Sequence, residues 1–331
     1  MRYMTSEKRS NQEERRYSSL DLAVIVPTKD RPQKIRNLLE SLSDQTVSCG
    51  RIIVVDSGED IGSVVRSFLG RLPVEYHRSP VQGQIHQRNI GISLVDDSTP
   101  LVCSLDDDIF VEPGAIEAMV NFWNHCEAET AGVSFNIVNN PPYRHSWMKS
   151  VIGMSSPQQG RVLRSGYNVA ASPTKIDLKV RWLCGGATVW RQEILKQFSN
   201  KEVSSRWAIC EDLIFSYPIG RRYPLYVCAD AKVRHEHVYD HKGKSKYRYY
   251  GRTVVLWRLY FVGLHPELSK VLFFWMVLWQ IISRLSLGVL LGRRHELQYG
   301  IGQIEGALIG LYAIIRRSNL SAMLDESDEK S

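Results

Sequence analysis

The sequence has few of the features that mark secreted, disulfide-bonded or nucleic-acid-binding proteins. Its six cysteines form no CxxC pair, and several lie in apolar stretches, so we predict reduced core thiols rather than disulfides or a zinc site. The first residues contain no apolar run, and we expect no signal peptide. No DNA- or RNA-binding motif is present, so nucleic acid is not an expected partner.

The composition is that of a globular protein with an uneven excess of positive charge. The 331 residues are 44% hydrophobic and 23% charged, and their net charge is +7. A chain of this length forms one large domain or two ordinary ones. Between Lys232 and Arg258 there are eight basic residues and only two acidic ones. Such a block predicts contact with phosphate groups or with an anionic membrane.

Strand-length apolar runs alternate with amphipathic helical patterns in the first part of the chain. The runs cover 22–26, 51–55, 74–77 and 101–105, and a helical pattern follows each of them. This alternation predicts an α/β fold in which helices flank a mostly parallel sheet. Ligands of such folds bind outside the carboxyl ends of the strands.

Carboxylates follow three of the predicted strands. Asp30 and Asp56 follow the first two strands, and Asp106, Asp107 and Asp108 follow the fourth. Two carboxylates at positions i and i+2 suit a hard divalent cation that keeps open positions for phosphate oxygens. The residues alone also fit a solvated loop or, at Asp56, a helix N-cap.

A series of short motifs runs between about residues 22 and 240. The motifs are Val24–Pro32, Ile52–Gly58, Gly83 with Gln87–Gly91, Leu105–Pro113, Cys184–Ala187, Trp207 ahead of Glu211–Asp212, and Ala229 to His235. In order and spacing they resemble the signatures of the family 2 glycosyltransferases. The resemblance implies the GT-A fold, a Rossmann-like, mostly parallel central sheet flanked by helices, with a nucleotide half and an acceptor half.

The resemblance also implies roles for individual residues. The nucleotide donor would contact Pro27, Thr28, Asp30, Arg31, Asp56, Ser57, Gln84, Arg88, Asn89, Asp106, Asp107, Gly185 and Gly186. Asp106, Asp108 and His235 would hold Mg²⁺ or Mn²⁺, and Asp212, beside Glu211, would be the general base. On their own, Arg88 and Asn89 also fit a surface network, the two glycines a turn, and Glu211–Asp212 the acidic first turn of a helix.

These groups meet the chemical needs of sugar transfer. Cleavage of a glycosyl–phosphate bond leaves charge on a nucleoside diphosphate, which a carboxylate-bound cation stabilises. A base on the opposite face of the sugar activates the acceptor hydroxyl, and a single displacement then inverts the anomeric carbon. At Ser216–Gly220 the sequence departs from the family, which often has an arginine there. The departure concerns the acceptor side and leaves the Glu-Asp pair intact.

Two apolar segments mark the last third of the chain. The first, 271–291, could cross a bilayer by its length, but Gln280, Ser283 and Arg284 interrupt it on one helical face. Because a charge near mid-span is costly, we favour a helix that lies in the membrane interface, and a span or a buried core helix stays open. The second segment, 300–315, ends at Arg316 and Arg317.

The predicted organisation has five parts. They are a mobile tail over 1–19, a nucleotide-sugar half over 20–130, an acceptor half over 131–250, a membrane-associating helical region over 251–317, and a disordered tail over 318–331. The expected partners are a nucleotide sugar, a glycan or polyprenyl-phosphate-linked glycan, and the cytoplasmic face of the cell membrane, and the oligomeric state stays open. A non-catalytic scaffold and a sugar-phosphate nucleotidyltransferase are the alternatives, although the latter's glycine-rich loop is missing after the first strand.

Overall fold

The computed structural model describes residues 16–198, 209–236 and 244–317, together with Leu324. The strands are β1 Leu22–Thr28, β2 Arg51–Asp56, β3 Val74–Arg78, β4 Leu101–Leu105, β5 Ile109–Val111, β6 Gly132–Ile137, β7 Leu178–Val180, β8 Ala187–Arg191 and β9 Leu225–His235. The helices are α1 Pro32–Ser43, α2 Gly62–Arg66, α3 Gln84–Ser93, α4 Ala115–His125, α5 Trp147–Val151, α6 Gln192–Gln197, α7 Glu211–Gly220, α8 Lys244–Leu264, α9 Lys270–Leu290 and α10 Arg294–Arg316.

All nine strands belong to one sheet. The order is β3-β2-β1-β4-β8-β6-β9-β5, and β7 also pairs with β9. The first four strands are parallel, and β8 pairs antiparallel with β4 and β6. The predicted α/β class is confirmed. The main parallel part of the predicted central sheet is the run of strands β1 to β4, whereas β5, β7 and β8 pair antiparallel with their neighbours. Since β4 pairs with β8, the sheet is continuous across residue 130, where we predicted the boundary between two halves.

The first half folds as its apolar pattern predicts. All seven residues of β1 are buried, with Val24 on one face of the sheet and Ile25 on the other. Pro32 begins α1, and the stripe from Ile35 to Leu42 packs on the sheet. A strand that is buried on both faces must be apolar throughout, and for that reason these strands could be predicted from the sequence.

The long strand β9 runs from β7 at its start to β5 at its end. Its first residues pair with β7, and its last residues pair with β5 in the register Ile109↔His235. The backbone N–H of Glu236 also donates to the carbonyl of Asp108 at 2.8 Å. These pairings place the end of β9 beside the aspartates that follow β4.

The three C-terminal helices pack against one another and on the acceptor half. Phe273, Met276 and Val277 of α9 join a buried cluster with Leu259 and Phe261 of α8. Of the described helices, α9 is the one that is long and apolar enough to cross a membrane, with a mean hydropathy of 1.6 over its most apolar stretch and 22% of that stretch buried.

The polar residues of α9 do not form the water-facing side that we expected. Gln280 accepts a hydrogen bond from Gln303 at 3.0 Å, and Arg284 forms an ion pair with Glu296 at 2.5 Å, so both face α10. Only Ser283 of the three is exposed. The outward face is apolar instead and includes Val271, Trp275, Leu278, Trp279, Ile282, Val289 and Leu290.

Both predicted tails lie largely outside the described residues. Residues 1–15 and, apart from Leu324, 318–331 are not described. Tyr17, which we placed in the first tail, is tied to the domain: its N–H donates to the side chain of Asn124 at 2.7 Å, and its hydroxyl accepts from Arg191 at 3.1 Å.

Candidate active site

Three side chains that could hold a metal ion meet at the carboxyl end of β4, and we call this candidate set the metal-ligating group. The ligand atoms of Asp106, Asp108 and His235 all lie within 4.8 Å of one another, and His235 Nε2 is 2.9 Å from Asp108 Oδ1. Burial acts to raise the pKa of Asp108, but the hydrogen bond and charge of His235, with those of Arg31 and Lys34, hold it below its ordinary value. Two carboxylates and an imidazole suit Mg²⁺ or, with its greater tolerance of nitrogen, Mn²⁺.

The middle aspartate of the triplet points away from that group. Asp107 is buried and accepts hydrogen bonds from Thr28 Oγ1 at 2.8 Å and from Arg31 Nη1 at 2.9 Å. Burial raises the pKa of Asp107 against the opposing effect of Arg31. Asp107 therefore fixes the end of β1 to the turn after β4, whereas its two neighbours lie with His235.

The second strand ends in a fully buried carboxylate. Asp56 has no exposed surface, and its oxygens accept from the N–H of Gly58 at 2.8 Å, the hydroxyl of Tyr76 at 2.7 Å and Arg78 at 2.7 Å. Asp30, which adopts a left-handed backbone with φ 55°, accepts from the N–H of Glu59 at 2.7 Å. Both aspartates that we expected at the nucleotide thus order the loop after β2, together with buried Ser57.

Helix α3 places a buried arginine between two acidic groups. Arg88 donates to Asp106 Oδ1 at 2.7 Å and to Glu211 Oε1 at 2.6 Å. Gln84, one turn earlier, donates to the same oxygen of Asp106 at 2.6 Å, and Asn89 is half-buried beside Arg88. Arg88 therefore joins the metal-ligating group to the acids of the acceptor half.

The glycine pair before β8 provides room for these carboxylates. A Cβ on Gly186 would lie 2.5 Å from Asp106 Oδ2, and one on Gly185 would lie 3.1 Å from the Cβ of Asp212. The N–H of Asp106 also donates to the carbonyl of Gly186 at 2.8 Å. The two glycines are thus needed for the close approach of backbone to acid, beyond the turn that we also considered.

The acids of the acceptor half begin α7. Cys210 precedes them in a left-handed conformation with φ 65°, which turns the chain into the helix. Burial raises the pKa of Asp212, and the N–H groups of Leu213 and Gly185 offset part of that rise. Burial likewise raises the pKa of Glu211 against the charge of Arg88. A carboxylate with a raised pKa at a helix start is suited to accept a proton.

A cavity of about 430 Å³ extends from these acids over the sheet. Arg88, Glu211 and Asp212 line one end, and apolar side chains such as Trp190 and Phe215 line the rest. The stretch Ser216–Gly220, where the sequence departs from the family, borders this cavity. The N–H of Leu183 donates to the hydroxyl of Ser216 at 3.0 Å, and Pro218 lies in the cavity wall. This stretch therefore has a packing role on the acceptor side. Trp207 lies outside the described residues.

Sequence comparison decides the family. The profile of the family described as "Glycosyl transferase family 2" matches residues 23–198, more than half of the chain. The chain belongs to the family 2 glycosyltransferases. It is similar to the uncharacterized glycosyltransferase YwdF of Bacillus subtilis (strain 168), with 32% identity over 114 residues. That match covers 34% of this chain and 40% of YwdF, less than half of the relative.

Solved structures show the same fold. The Pyrobaculum calidifontis mannosyltransferase PcManGT, solved with GDP-Man and Mn²⁺, has a TM-score of 0.53 and 16% identity, over 94% of this chain and 86% of that one. S. aureus TarS 1-349 with UDP has a TM-score of 0.50 and 16% identity, over 93% and 91% of the two chains. The GT-A fold that the motifs implied for this glycosyltransferase is confirmed.

Three residues of the glycosyltransferase site were given no role from its sequence, although one of them, Gln87, belongs to a motif named above. Tyr76 and Arg78 bind Asp56, and their i, i+2 spacing, which puts both on one face of β3, was the available signal. Gln87 is buried and donates to the carbonyls of Thr28 at 2.6 Å and Val55 at 2.7 Å. It fastens α3 to the ends of two strands and so sets the position of Arg88.

Three arginines in the described part of the basic block, Lys232 to Arg258, each contact a different partner within the protein. Arg234 pairs with Glu112 at 2.7 Å, Arg248 pairs with Glu305, and Arg258 donates to the carbonyl of Gly166 at 2.7 Å. His237 and His241, and the rest of 237–243, lie outside the described residues. These three arginines serve local packing rather than one shared anion site.

Proposed function

We propose that this glycosyltransferase moves a sugar from a nucleoside-diphosphate donor to a glycan hydroxyl, with metal dependence and inversion at the anomeric carbon. The observation that carries the proposal is the arrangement around Arg88. This side chain contacts Asp106 of the metal-ligating group on one side and Glu211, the neighbour of Asp212, on the other. Arg88 thus brings a leaving-group site and a base close together, as a single displacement requires.

The metal-ligating group fits a divalent cation by its donor set. Asp106, Asp108 and His235 would hold Mg²⁺ or Mn²⁺, and Gly186 keeps the space beside Asp106 free of a side chain. When bound, such a cation neutralises charge on the departing diphosphate. Because the pKa of Asp108 is low, its carboxylate is ionised and ready to bind the cation at neutral pH.

The base is Asp212, and Glu211 and Arg88 position it. Its raised pKa strengthens it as a proton acceptor for the acceptor hydroxyl. Arg88 holds Glu211 in place by an ion pair at 2.6 Å. Direct attack with one base inverts the anomeric carbon, and the proposal therefore needs no covalent nucleophile.

The donor site lies at the ends of β1, β2 and β4, among Thr28, Arg31 and the loop that Asp56 orders. The solved relatives carry GDP-Man with Mn²⁺ in one case and UDP in another. These ligands support a nucleotide sugar as the donor class here. They differ in base and sugar, so the donor must be found by measurement.

The C-terminal helices support a membrane-associated acceptor, such as a polyprenyl-phosphate-linked glycan in cell-surface polysaccharide assembly. Helix α10 likewise exposes apolar side chains at Leu308, Leu311, Tyr312 and Ile315. Exposed Lys270, Arg293, Arg294, Arg316 and Arg317 stand at the helix ends. Apolar faces bounded by cations suit an interfacial position on an anionic membrane, which at the cytoplasmic leaflet also meets the nucleotide sugars.

Calorimetric titration with UDP, dTDP and GDP, each with and without Mn²⁺, tests the donor proposal. We expect one nucleotide to bind with Mn²⁺ and to lose at least about tenfold in affinity without it, because a cation held by Asp106, Asp108 and His235 would neutralise phosphate charge. Asp108→Asn should cause the same loss. Asp97→Asn is the matched control, since that aspartate is 92% exposed and remote from the site. A wild-type protein that binds no nucleotide in any condition would instead be a non-catalytic scaffold.

A further inference from the structure

A second concave site lies at the opposite end of β9 from His235. It is a cleft of about 770 Å³ lined by the segments 157–161, 178–181 and 220–224. We call Arg161, Lys179, Arg181, Arg221 and Arg222 the cationic cluster. All five line the cleft, and no acidic residue does so among the described residues. Since β9 has 11 residues, the cleft is about 30 Å along the sheet from the metal-ligating group.

Three guanidinium groups of the cationic cluster are held by neutral partners. Arg161 donates to the side chain of Gln158 at 2.5 Å, Arg181 donates to the carbonyl of Gly220 at 3.0 Å, and Arg222 lies over the ring of Phe198. None of the three has a carboxylate partner in the described part of the chain. Each keeps further N–H donors, and their anchoring reduces the entropy cost of binding an anion.

The other two cations are paired but remain close to the cleft. Lys179 pairs with Glu127 and Arg221 pairs with Glu267, each at 2.6 Å. The floor is formed by close backbone packing at Gly160, where a Cβ would overlap the side chain of Val180. The cleft is thus a built concavity with an uncompensated positive charge. Such a site raises the local concentration of anions.

We propose that the cationic cluster binds the acidic groups of a glycan chain, the acceptor polymer on which the enzyme acts. This inference rests on the proposed function. Gln159 and Tyr223 also line the cleft, and an amide and an aromatic ring suit the hydroxyls and faces of sugar rings. A chain that reaches from the cleft to Asp212 is held at two points, so binding at the distant cleft raises the effective concentration of its end at the base.

Titration with oligogalacturonate, a carboxylate-bearing glycan, tests the proposal against a neutral maltodextrin of the same length. We expect oligogalacturonate to bind with a strong dependence on salt and the maltodextrin not to bind. Arg222→Glu should weaken oligogalacturonate binding about tenfold, and Arg161→Gln, a milder change, should weaken it less. Arg71→Glu is the matched control, because Arg71 is also exposed and lies over a ring, 5.4 Å from that of Phe68 against 5.5 Å for Arg222 and Phe198.

Three results would overturn the proposal. They are no oligogalacturonate binding by the wild type, an equal loss in Arg222→Glu and Arg71→Glu, or a loss confined to binding of phosphatidylglycerol vesicles, which would make lipid the partner. Nucleotide binding with Mn²⁺, measured on the same samples, distinguishes failure of this proposal from failure of the proposed function. Its absence in the wild type counts against the proposed function, whereas its retention in Arg222→Glu localises any defect to the cleft.

Discussion

The carboxyl edge of the sheet and the C-terminal helices both bury polar side chains, but these side chains have different roles in the two regions. At the edge, Asp106 and Asp108 lie with His235, Arg88 joins Asp106 to Glu211, and Asp212 lines the cavity. In the helices, Gln280 with Gln303 and Arg284 with Glu296 pair across an interface and leave an apolar exterior.

The two regions use buried polar side chains differently: those at the sheet edge are candidates for function, and those between the helices serve helix packing. Ionisation of Asp212 costs folding free energy because burial raises its pKa, and we interpret that cost as a consequence of its proposed role as the base. A polar pair between α9 and α10 instead fixes how two helices meet. Removing the charge of Asp212 should therefore stabilise the protein, whereas disturbing the contact surface between the helices should destabilise it.

The largest expected effect is that of Asp212→Asn. Loss of the base should lower kcat by about 10³-fold, or about 4 kcal/mol, with nucleotide binding unchanged. Because burial raises the pKa of Asp212, its ionisation opposes folding as pH rises through the folded-state pKa. The variant should therefore melt higher than the wild type, by a margin that is absent near pH 3 and grows toward pH 8.

The pH profile provides the control for this prediction. The acid limb of kcat/KM in the wild type should fall at a pH above the ordinary pKa of an aspartate, since protonated Asp212 cannot accept a proton. Melting curves across the same range check the stability part. A variant that melts at or below the wild-type temperature at pH 8 would contradict the view that this charge is retained for function at a cost in stability.

The catalytic edge could be predicted from the sequence to a large extent because its signals are local. Asp56 ends its strand, and Asp30 and the 106–108 triplet closely follow theirs, so these acids could be placed at one edge of the sheet. The trio of Asp106, Asp108 and His235 came from the family resemblance, and the structure brings these three together. Which way Asp56 and Asp107 point was beyond the sequence, because it depends on Tyr76, Arg78 and Thr28 across neighbouring strands.

The contacts that needed the folded chain join distant segments. Arg88 and Glu211 are 123 residues apart, and the cationic cluster gathers side chains from three separate segments. The sequence instead drew attention to the basic block after Lys232, whose described arginines have separate partners. The side of α9 that is buried depended on α10. The glycines at 302, 306 and 310 were the overlooked signal for the packing of α10 on α8.

The second prediction concerns those glycines and should have an intermediate effect. A Cβ on Gly302 would overlap the carbonyl oxygen of Arg248 in α8, whereas one on Gly300 meets the flexible side chain of Leu285 at 3.0 Å. Gly302→Ala should lower the free energy of unfolding by about 1–2 kcal/mol, since backbone cannot give way easily. Gly300→Ala, the matched control, should be neutral or slightly stabilising because alanine favours helix. Urea denaturation compares them, and equal losses would contradict tight packing of α10 on α8.

The smallest effect tests whether the apolar exterior of the helices is a membrane surface. Leu308 of α10 is 61% exposed, and Leu69 in the nucleotide half is 58% exposed. Leu308→Gln should weaken binding to phosphatidylglycerol vesicles by about fivefold, or about 1 kcal/mol, because the side chain no longer gains from leaving water. Leu69→Gln should leave binding unchanged, and neither variant should alter the melting temperature. Co-sedimentation with vesicles measures the difference. Equal vesicle binding by the two variants would contradict a membrane-binding role for this face, and its apolar side chains would then be assigned to contact with a protein partner.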